Sequence, residues 1–212
     1  MQPTDIGRSY DALAQTWQER MLQSTYGIAQ FERAIKFTKS KVHALDVGCG
    51  SSGRIMDLLL RHGFLVEGLD VSEKMITLIR VLHPNLSFYH EDISTWTLPR
   101  KYDFISAWDS IWHLPVAKQE PVMRKLCEGL APGGVLIFTT VGLDVPGEKS
   151  NDTNMGPPVD YGYLGIPKTL EILVQCGCIC RHLEYDQYPE RHLYIIAQKG
   201  GGESSDPGQL FI

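Results

Sequence analysis

The sequence predicts an α/β fold: a doubly wound, mostly parallel sheet of seven strands with an antiparallel final strand, preceded by extra N-terminal helices. Two observations predict this class. From residue 41 onwards, short apolar runs alternate with segments of helical period, which is typical of parallel strands joined by crossover helices. The last two apolar runs are separated by a link too short for a crossover helix, so they should pair antiparallel.

The predicted elements follow in a regular order. In the first forty residues, Tyr10, Ala14, Trp17 and Met21 recur at helical spacing. The parallel strands are predicted over VHALDV, FLVEGLD, LSFYHED, YDFISAW and GGVLIFTTV, and the antiparallel pair over CICRHLEYDQ and RHLYIIAQK. Segment 142–166 contains five glycines and no clear period, and it is therefore predicted to be a functional or disordered loop.

These elements divide the chain into three parts. Residues 1–40 are predicted to form a helical lid, residues 41–198 the sheet domain that binds the ligand, and residues 199–212 a disordered tail that is polar and rich in glycine. The lid and segment 142–166 can both reach the carboxyl edge of the sheet, which is where doubly wound folds bind their ligands.

Composition and charge exclude several classes of partner. The 212 residues include 20 Lys and Arg against 25 Asp and Glu, a net charge of −5, which argues against a nucleic-acid partner. No apolar run reaches the roughly 18 residues of a membrane span, and the N-terminus lacks the regions of a signal peptide. We expect a cytoplasmic monomer or homodimer with no membrane partner, whose five cysteines are reduced.

The stretch ALDVGCGSSGR carries the main ligand-binding signal. Gly48, Gly50 and Gly53 follow a buried strand, and such glycines let the backbone approach a ligand and turn N–H groups toward its anionic part. Asp70 ends the next strand, 20 residues after Gly50, where a carboxylate can accept hydrogen bonds from both ribose hydroxyls. These features suit NAD and S-adenosylmethionine equally.

Two further carboxylates and the order of the elements favour S-adenosylmethionine. Asp46, just before the glycine turn, would repel a diphosphate and attract the ammonium of a methionine group. Alternatively, Asp46 only braces the loop by bonding its backbone N–H groups. Asp92 ends the third strand, where it can accept from an adenine amino group while Ile93 packs on the ring. An NAD-dependent oxidoreductase of Rossmann type is the alternative prediction.

The sequence resembles the class I S-adenosylmethionine-dependent methyltransferases, which have a Rossmann-like fold. The resemblance spans about residues 40–140 and rests on LDVGCGSSG, VEGLDVSEKMI, EDI, YDFISAWDSIWHL and LCEGLAPGGVLIF. It implies a methyltransferase with S-adenosyl-L-methionine as cofactor and S-adenosyl-L-homocysteine as product. Many members have a third glycine where Ser52 stands here, followed by Gly53.

The resemblance also implies roles for individual residues. Backbone atoms of the glycine turn and of Trp108 would contact the methionine part, Asp70 the ribose, and Val71 the adenine. The cofactor-binding set is Asp46, Gly48, Cys49, Gly50, Asp70, Val71, Met75, Asp92, Ile93 and Trp108.

The acceptor is predicted to be a small molecule, and the sequence indicates its binding site less clearly than that of the cofactor. A hydroxyl or amine acceptor needs a base, and the candidates are Asp109 and His113 after the fourth strand. The alternative is that His113 packs against the fold and Asp109 caps a turn. Tyr10, Trp17, Tyr161 and Tyr163 are candidates for an aromatic wall against a flat or cationic acceptor, although Trp17 could equally seal the core.

Two further interpretations of the sequence are a metal site and a binding protein without catalysis. In CGCICRH, Cys176, Cys178, Cys180 and His182 alternate, but their spacing differs from that of familiar zinc pairs. No metal is therefore predicted, and buried free thiols are expected. The second is a non-catalytic protein that binds S-adenosylmethionine through the same fold.

Overall fold

The computed structural model describes residues 2–153 and 156–201. Within these ranges the helices are α1 (Pro3–Met21), α2 (Ile28–Ile35), α3 (Arg54–Arg61), α4 (Glu73–Leu82), α5 (Val116–Gly129) and α6 (Ile166–Gln175), with a short 3-10 helix at Ile111–His113. The strands are β1 (His43–Val47), β2 (Leu65–Asp70), β3 (Ser87–His90), β4 (Tyr102–Ala107), β5 (Leu130–Val141), β6 (Gly147–Asp152), β7 (Val159–Tyr163), β8 (Cys178–Tyr185) and β9 (His192–Lys199). Most of the predicted tail, from residue 202 on, lies outside the described residues.

Seven strands form the main sheet in the order β3-β2-β1-β4-β5-β9-β8. Strands β1 to β5 run parallel, and β9 runs antiparallel to both β5 and β8. The predicted fold class is confirmed. After β3 the chain returns to place β4 on the other side of β1, so the carboxyl ends of β1 and β4 flank the switch point at which such sheets bind ligands.

Both faces of the sheet are covered, which explains why its central strands read as continuous apolar runs. Successive side chains of a strand point to opposite faces, so Ala44 and Leu45 of β1 belong to two different core clusters. The cluster around Leu45 includes Leu126 of α5 and Ile172 of α6. The cluster around Ala44 includes Phe31 of α2, as well as residues of α3 and α4.

The interpretation of segment 142–166 as an aperiodic loop is wrong, because the segment contains the antiparallel hairpin β6–β7. Its register shifts between Lys149 and Asp152, and this shift breaks the period-two pattern that would have revealed the strands. Gly162 lets β7 lie close to the 3-10 helix, since a Cβ there would be 2.8 Å from the backbone oxygen of Leu114.

Helix α1 crosses the carboxyl edge of the sheet, beside the glycine turn. Gln18 donates to the backbone oxygen of Ser51 at 2.8 Å, and Asp11 accepts from the Ser72 hydroxyl at 2.6 Å. Gly7 permits the closest approach, because a Cβ there would be 2.6 Å from the backbone oxygen of Val71. The helix therefore forms one wall of a binding site at this edge of the sheet.

The cysteines differ from the expectation that they would be buried together. Cys178 is buried, Cys176 is half-buried and Cys180 is exposed. A register shift between Cys180 and His182 also breaks the alternation along β8. In the described ranges, no group of three or more His, Cys, Asp or Glu side chains could hold a metal ion. None of the helices in those ranges has the length and apolar character needed to span a bilayer.

Candidate functional site

A cavity of about 1060 Å³, counted with the open space at its mouth, lies at the carboxyl ends of β1, β2 and β4. Its walls come from the glycine turn, the ends of β2 and β3, the segment after β4, and α1. The structure places every residue of the predicted cofactor-binding set on these walls: Asp46, Gly48, Cys49, Gly50, Asp70, Val71, Met75, Asp92, Ile93 and Trp108. Its size is in the range of small-molecule and cofactor sites.

The glycine turn needs its glycines for two different reasons. Gly48, Gly50 and Gly53 all have positive φ angles, of 76°, 60° and 71°, which side chains rarely tolerate. At Gly48 space is also lacking, because a Cβ would lie 2.3 Å from the Cβ of Ser110. The backbone of the turn is therefore exposed to the cavity at a point where no side chain could cover it.

Asp70 braces the glycine turn. Its two carboxylate oxygens accept from the backbone N–H of Gly50 and of Ser72, each at 2.9 Å. Burial raises the pKa of Asp70 despite these hydrogen bonds. Each carboxylate oxygen has a second lone pair, so the side chain can still accept from hydroxyl groups of a ligand in the cavity.

Asp46 does not make the bond to the loop that the alternative interpretation required. Its carboxylate accepts from the Ser106 hydroxyl at 2.6 Å, and the brace of the loop is Asp70. Burial raises the pKa of Asp46 to about 6, against the effects of Ser106 and of the Arg54 charge. A cationic ligand group would stabilise the ionised form of this carboxyl.

Asp92 lies two residues beyond the end of β3 and closes a turn. Its carboxylate accepts from the backbone N–H of Ser94 at 2.8 Å and from the Ser94 hydroxyl at 2.7 Å. Lys118 lies 3.9 Å from it. The side chain of Ile93 is buried beside it and provides an apolar surface in the same wall.

Arg54 is a cavity residue that the sequence reasoning missed. It begins α3 directly after the glycine turn, donates to the backbone oxygen of Tyr26, and lies over the Tyr26 ring at 5.5 Å. Burial lowers the pKa of Arg54, while the charges of Asp46 and Asp109 oppose that shift. Its position in the sequence could have identified it, because the first side chain after the last glycine of the turn faces the space that the turn leaves open.

His113 is buried and has a neutral hydrogen-bonding environment. Its Nδ1 lies 2.9 Å from the backbone oxygen of Asp160, and its Nε2 receives the indole N–H of Trp112 at 3.1 Å. The hydroxyl of Tyr10 also lies 2.8 Å from Nε2. Since a carbonyl only accepts and an indole N–H only donates, the proton is on Nδ1. Burial lowers the pKa of His113, so the ring is neutral near pH 7.

Asp109 lies directly after β4 and Trp108, with its side chain on the cavity wall. Its carboxylate accepts from the hydroxyl of Tyr26 at 2.8 Å and lies 2.9 Å from Nε2 of His192. His192 was not singled out from the sequence, where it is an ordinary first residue of a strand. The contact between Asp109 and His192 connects the segment after β4 with the first residue of β9.

The aromatic candidates separate into different places. Tyr10 and Trp17 line the cavity and meet edge to face, with ring centroids 6.4 Å apart. Tyr161 packs behind His113 at 4.9 Å, whereas Tyr163 lies in the hairpin against Gly147 and away from the cavity. The ring of Trp108 packs into the core, among Phe31, Tyr26 and Tyr194.

Comparison with known proteins agrees with this geometry. Residues 44–134 match the family model described as "Methyltransferase domain". A ubiquinone biosynthesis O-methyltransferase of Coxiella burnetii is 33% identical over 105 residues, which are 47% of this chain and 43% of that protein. The chain thus spans less than half the length of this curated relative.

Solved structures extend the likeness beyond the matched segment. An S-adenosylmethionine-dependent methyltransferase from Mesorhizobium loti superposes with a TM-score of 0.65 at 20% identity, covering 83% of this chain and all of that one. The [4+2]-cyclase SpnF superposes with a TM-score of 0.71 at 16% identity, covering 95% and 97%.

The doubly wound sheet, the glycine turn at its switch point and the carboxylate at the end of β2 define a nucleoside-binding α/β protein. Residues 44–134 match a methyltransferase domain, and the fold of the chain is that of S-adenosylmethionine-dependent methyltransferases.

Proposed function

We propose that this protein transfers a methyl group from S-adenosyl-L-methionine to a small-molecule acceptor. The observation that carries the proposal is the charge pattern of the cavity: carboxylates of Asp46, Asp70 and Asp109 surround the glycine turn, with the guanidinium of Arg54 among them. This pattern suits a cationic nucleoside that ends in an amino acid, and it would repel the diphosphate of NAD.

The residues present fit that cofactor. Asp70 would hold the ribose, and Asp92 and Ile93 the adenine. Arg54 would pair with the carboxylate of the methionine end, and Asp46 would face its ammonium. The hydroxyl oxygen of Ser110 supports the fit, since it is buried beside Gly48 without a hydrogen-bond partner in the described part of the chain.

When bound, the cofactor supplies a methyl group already activated by a positively charged sulfur. The protein's own contribution is alignment and exclusion of water, which together are worth up to roughly 7–11 kcal/mol of the barrier. Residues 1–40 would act as the lid, with Tyr10 and Trp17 closing the cavity. Asp109 would accept the proton of a hydroxyl or amine acceptor at its carboxylate.

A thermal-shift series tests the choice of cofactor. S-adenosylhomocysteine should raise the melting temperature because it binds only the folded protein, and NADH should not. Stabilisation by NADH alone would contradict the proposal and favour the oxidoreductase.

A screen with a radiolabelled methyl donor over pooled small metabolites tests the reaction itself. Label should appear in a low-molecular-mass product. Binding of S-adenosylhomocysteine with no labelled product from any pool would instead favour a protein that binds the cofactor without catalysis. The likeness to a cyclase shows that the fold alone does not decide between these outcomes.

A further inference from the structure

Asp109 has an unusual backbone conformation at a point where the cavity could bind an acceptor. Among the residues that the structure describes, it is the only residue other than glycine with a positive φ, 51°. The hydroxyl of Thr139 in β5 accepts its backbone N–H at 2.7 Å and fixes this conformation. Such conformations are concentrated at functional sites, because the surrounding structure must stabilise them.

The carboxylate of Asp109 is positioned by a chain of buried charges. Nε2 of His192 lies 2.9 Å from Asp109, and Nδ1 lies 2.5 Å from the carboxylate of Asp186 in the turn between β8 and β9. The side chains of His192 and Asp186 are only 8% and 5% exposed, whereas that of Asp109 is 21% exposed. The open end of the chain is thus the carboxylate that faces the cavity.

The charge state of His192 follows from its two carboxylate partners. Nδ1 faces Asp186, and Nε2 faces Asp109 and also lies 3.0 Å from the Tyr26 hydroxyl. Both nitrogens can donate to a carboxylate only when the ring is protonated. Burial alone would lower the pKa of His192, but the hydrogen bonds and charges of Asp109 and Asp186 outweigh burial and raise it. Below this raised pKa the ring is an imidazolium between two carboxylates, and the three side chains Asp109, His192 and Asp186 together carry one net negative charge.

Polar groups from α2 and from the turn before it complete the arrangement. The hydroxyl of Tyr26 donates to the second oxygen of Asp109 at 2.8 Å and accepts from the amide of Gln187 at 3.1 Å. The amide of Gln30 in α2 donates to Asp186 at 2.8 Å. The carboxylates that face His192 are those of Asp109 and Asp186, and the guanidinium of Arg54 lies over the Tyr26 ring.

We propose that the Asp109 carboxylate accepts the proton of the acceptor's hydroxyl or amine group, and that His192 and Asp186 are positioning residues. They hold the Asp109 carboxylate in place for this proton transfer. The acceptor is then a neutral hydroxyl or amine compound, since an anionic acceptor such as a carboxylate or thiolate would meet the net negative charge of the chain. This inference rests on the proposed function, because it assigns the acceptor side of the same cavity.

Binding of two matched probes to the protein saturated with S-adenosylhomocysteine tests this assignment. Catechol and benzoate share a ring and have similar size, but at pH 7 catechol is neutral and benzoate is an anion. NMR titration should give at least a tenfold tighter dissociation constant for catechol. In Asp109→Asn the ratio should fall to twofold or less, because the charge that separates the probes is gone.

His192→Gln tests the positioning role, and His182→Gln is its matched control. His182 also pairs with a carboxylate, that of Glu184 at 2.8 Å, but it lies on β8 outside the cavity. His192→Gln should weaken catechol binding about three- to tenfold and leave the affinity for S-adenosylhomocysteine within twofold. Asp186→Asn, which keeps the shape of the side chain, should have the same effect if the glutamine variant does not fold.

The pH dependence gives a readout that a merely structural role would not change. Catechol affinity in the wild type should fall as the pH rises above about 6.5 and His192 loses its proton through its raised pKa, and in His192→Gln it should stay constant. Equal binding of both probes, no catechol binding at all, or a His192→Gln variant indistinguishable from His182→Gln would overturn the inference. Failure of S-adenosylhomocysteine to bind would instead overturn the proposed function.

Discussion

Two buried histidines have different environments: His113 lines the cavity, and His192 lies against Asp109 of the cavity wall. His113, after β4, is 6% exposed and is bonded to a backbone carbonyl, an indole N–H and a phenol. His192, at the start of β9, is 8% exposed and lies between two carboxylates. Burial lowers the pKa of His113, whereas the carboxylates raise the pKa of His192.

The comparison shows that carboxylate partners can outweigh the effect of burial on the pKa of a histidine, whereas without them burial decides its charge. His113 is neutral, and its one lone pair is already shared by two donors, which suits a structural role. The raised pKa of His192 favours its charged form, and the ring lies 2.9 Å from the Asp109 carboxylate, which faces the cavity. The sequence drew attention to the first histidine because it follows a strand end, whereas the positioning role that we propose belongs to the second.

The largest expected effect comes from Asp109→Asn. The variant keeps the shape of the side chain but removes the carboxylate that faces the acceptor, so methyl transfer to the acceptor found in the label screen should fall by about 10²–10⁴-fold. Initial rates measure the loss, and an unchanged dissociation constant for S-adenosylhomocysteine is the control. A loss smaller than about threefold would remove Asp109 from the reaction.

His113→Phe should have a smaller effect, and on stability instead of turnover. It removes the ring that is hydrogen-bonded to the backbone oxygen of Asp160 and to the indole N–H of Trp112, and the loss of these buried hydrogen bonds costs about 2 kcal/mol. For a chain of this size the melting temperature should fall by roughly 4–8 °C. Tyr10→Phe, which removes one hydroxyl from the same cluster, is the matched control and should lower it less.

Turnover of His113→Phe should remain within about threefold of the wild type, because a neutral ring with an occupied Nε2 does not act as the base. A folded variant that lost a hundredfold or more in turnover would reverse the roles of the two histidines.

The smallest effect is spectroscopic. In an NMR titration of the two rings, His113 should gain its proton below pH 6.5 and His192 should lose its proton above that value. The contributions of the two rings to the free energy of unfolding depend on pH in opposite directions. That of His192 is complete below about pH 6.5 and is lost as the pH rises through its raised pKa.

The contribution of His113 is present above about pH 6.5 and is lost as the pH falls through its lowered pKa. Two rings titrating together near pH 6.5 would contradict the comparison.

The sequence predicted the part of the cavity that is formed by residues directly after the ends of the parallel strands. The glycine turn, Asp70 and Asp92 each follow a strand end, and parallel strands bring their carboxyl ends to one edge, so their meeting is predictable. The chain of Asp109, His192 and Asp186 was not predictable. It joins residues 83 positions apart along the sequence, and their meeting depends on β9 lying next to β5.

The errors have equally specific causes. The hairpin β6–β7 was missed because its register shift hides the alternation of the strands. Tyr163 was grouped with Tyr161, but two residues along a strand amount to about 6.5 Å, enough to move the side chain from the histidine cluster to Gly147.

Calorimetric titration of S-adenosylhomocysteine tests the central claim, that the cavity at the switch point binds this nucleoside through Asp70. The wild type should bind one equivalent, and Asp70→Ala should lose about 100-fold or more in affinity, because a charged acceptor is removed from both the ligand and the glycine turn. Asp57→Ala, on the exposed face of α3, is the control and should bind as the wild type does. No binding by the wild type, or equal binding by Asp70→Ala and Asp57→Ala, would contradict the account.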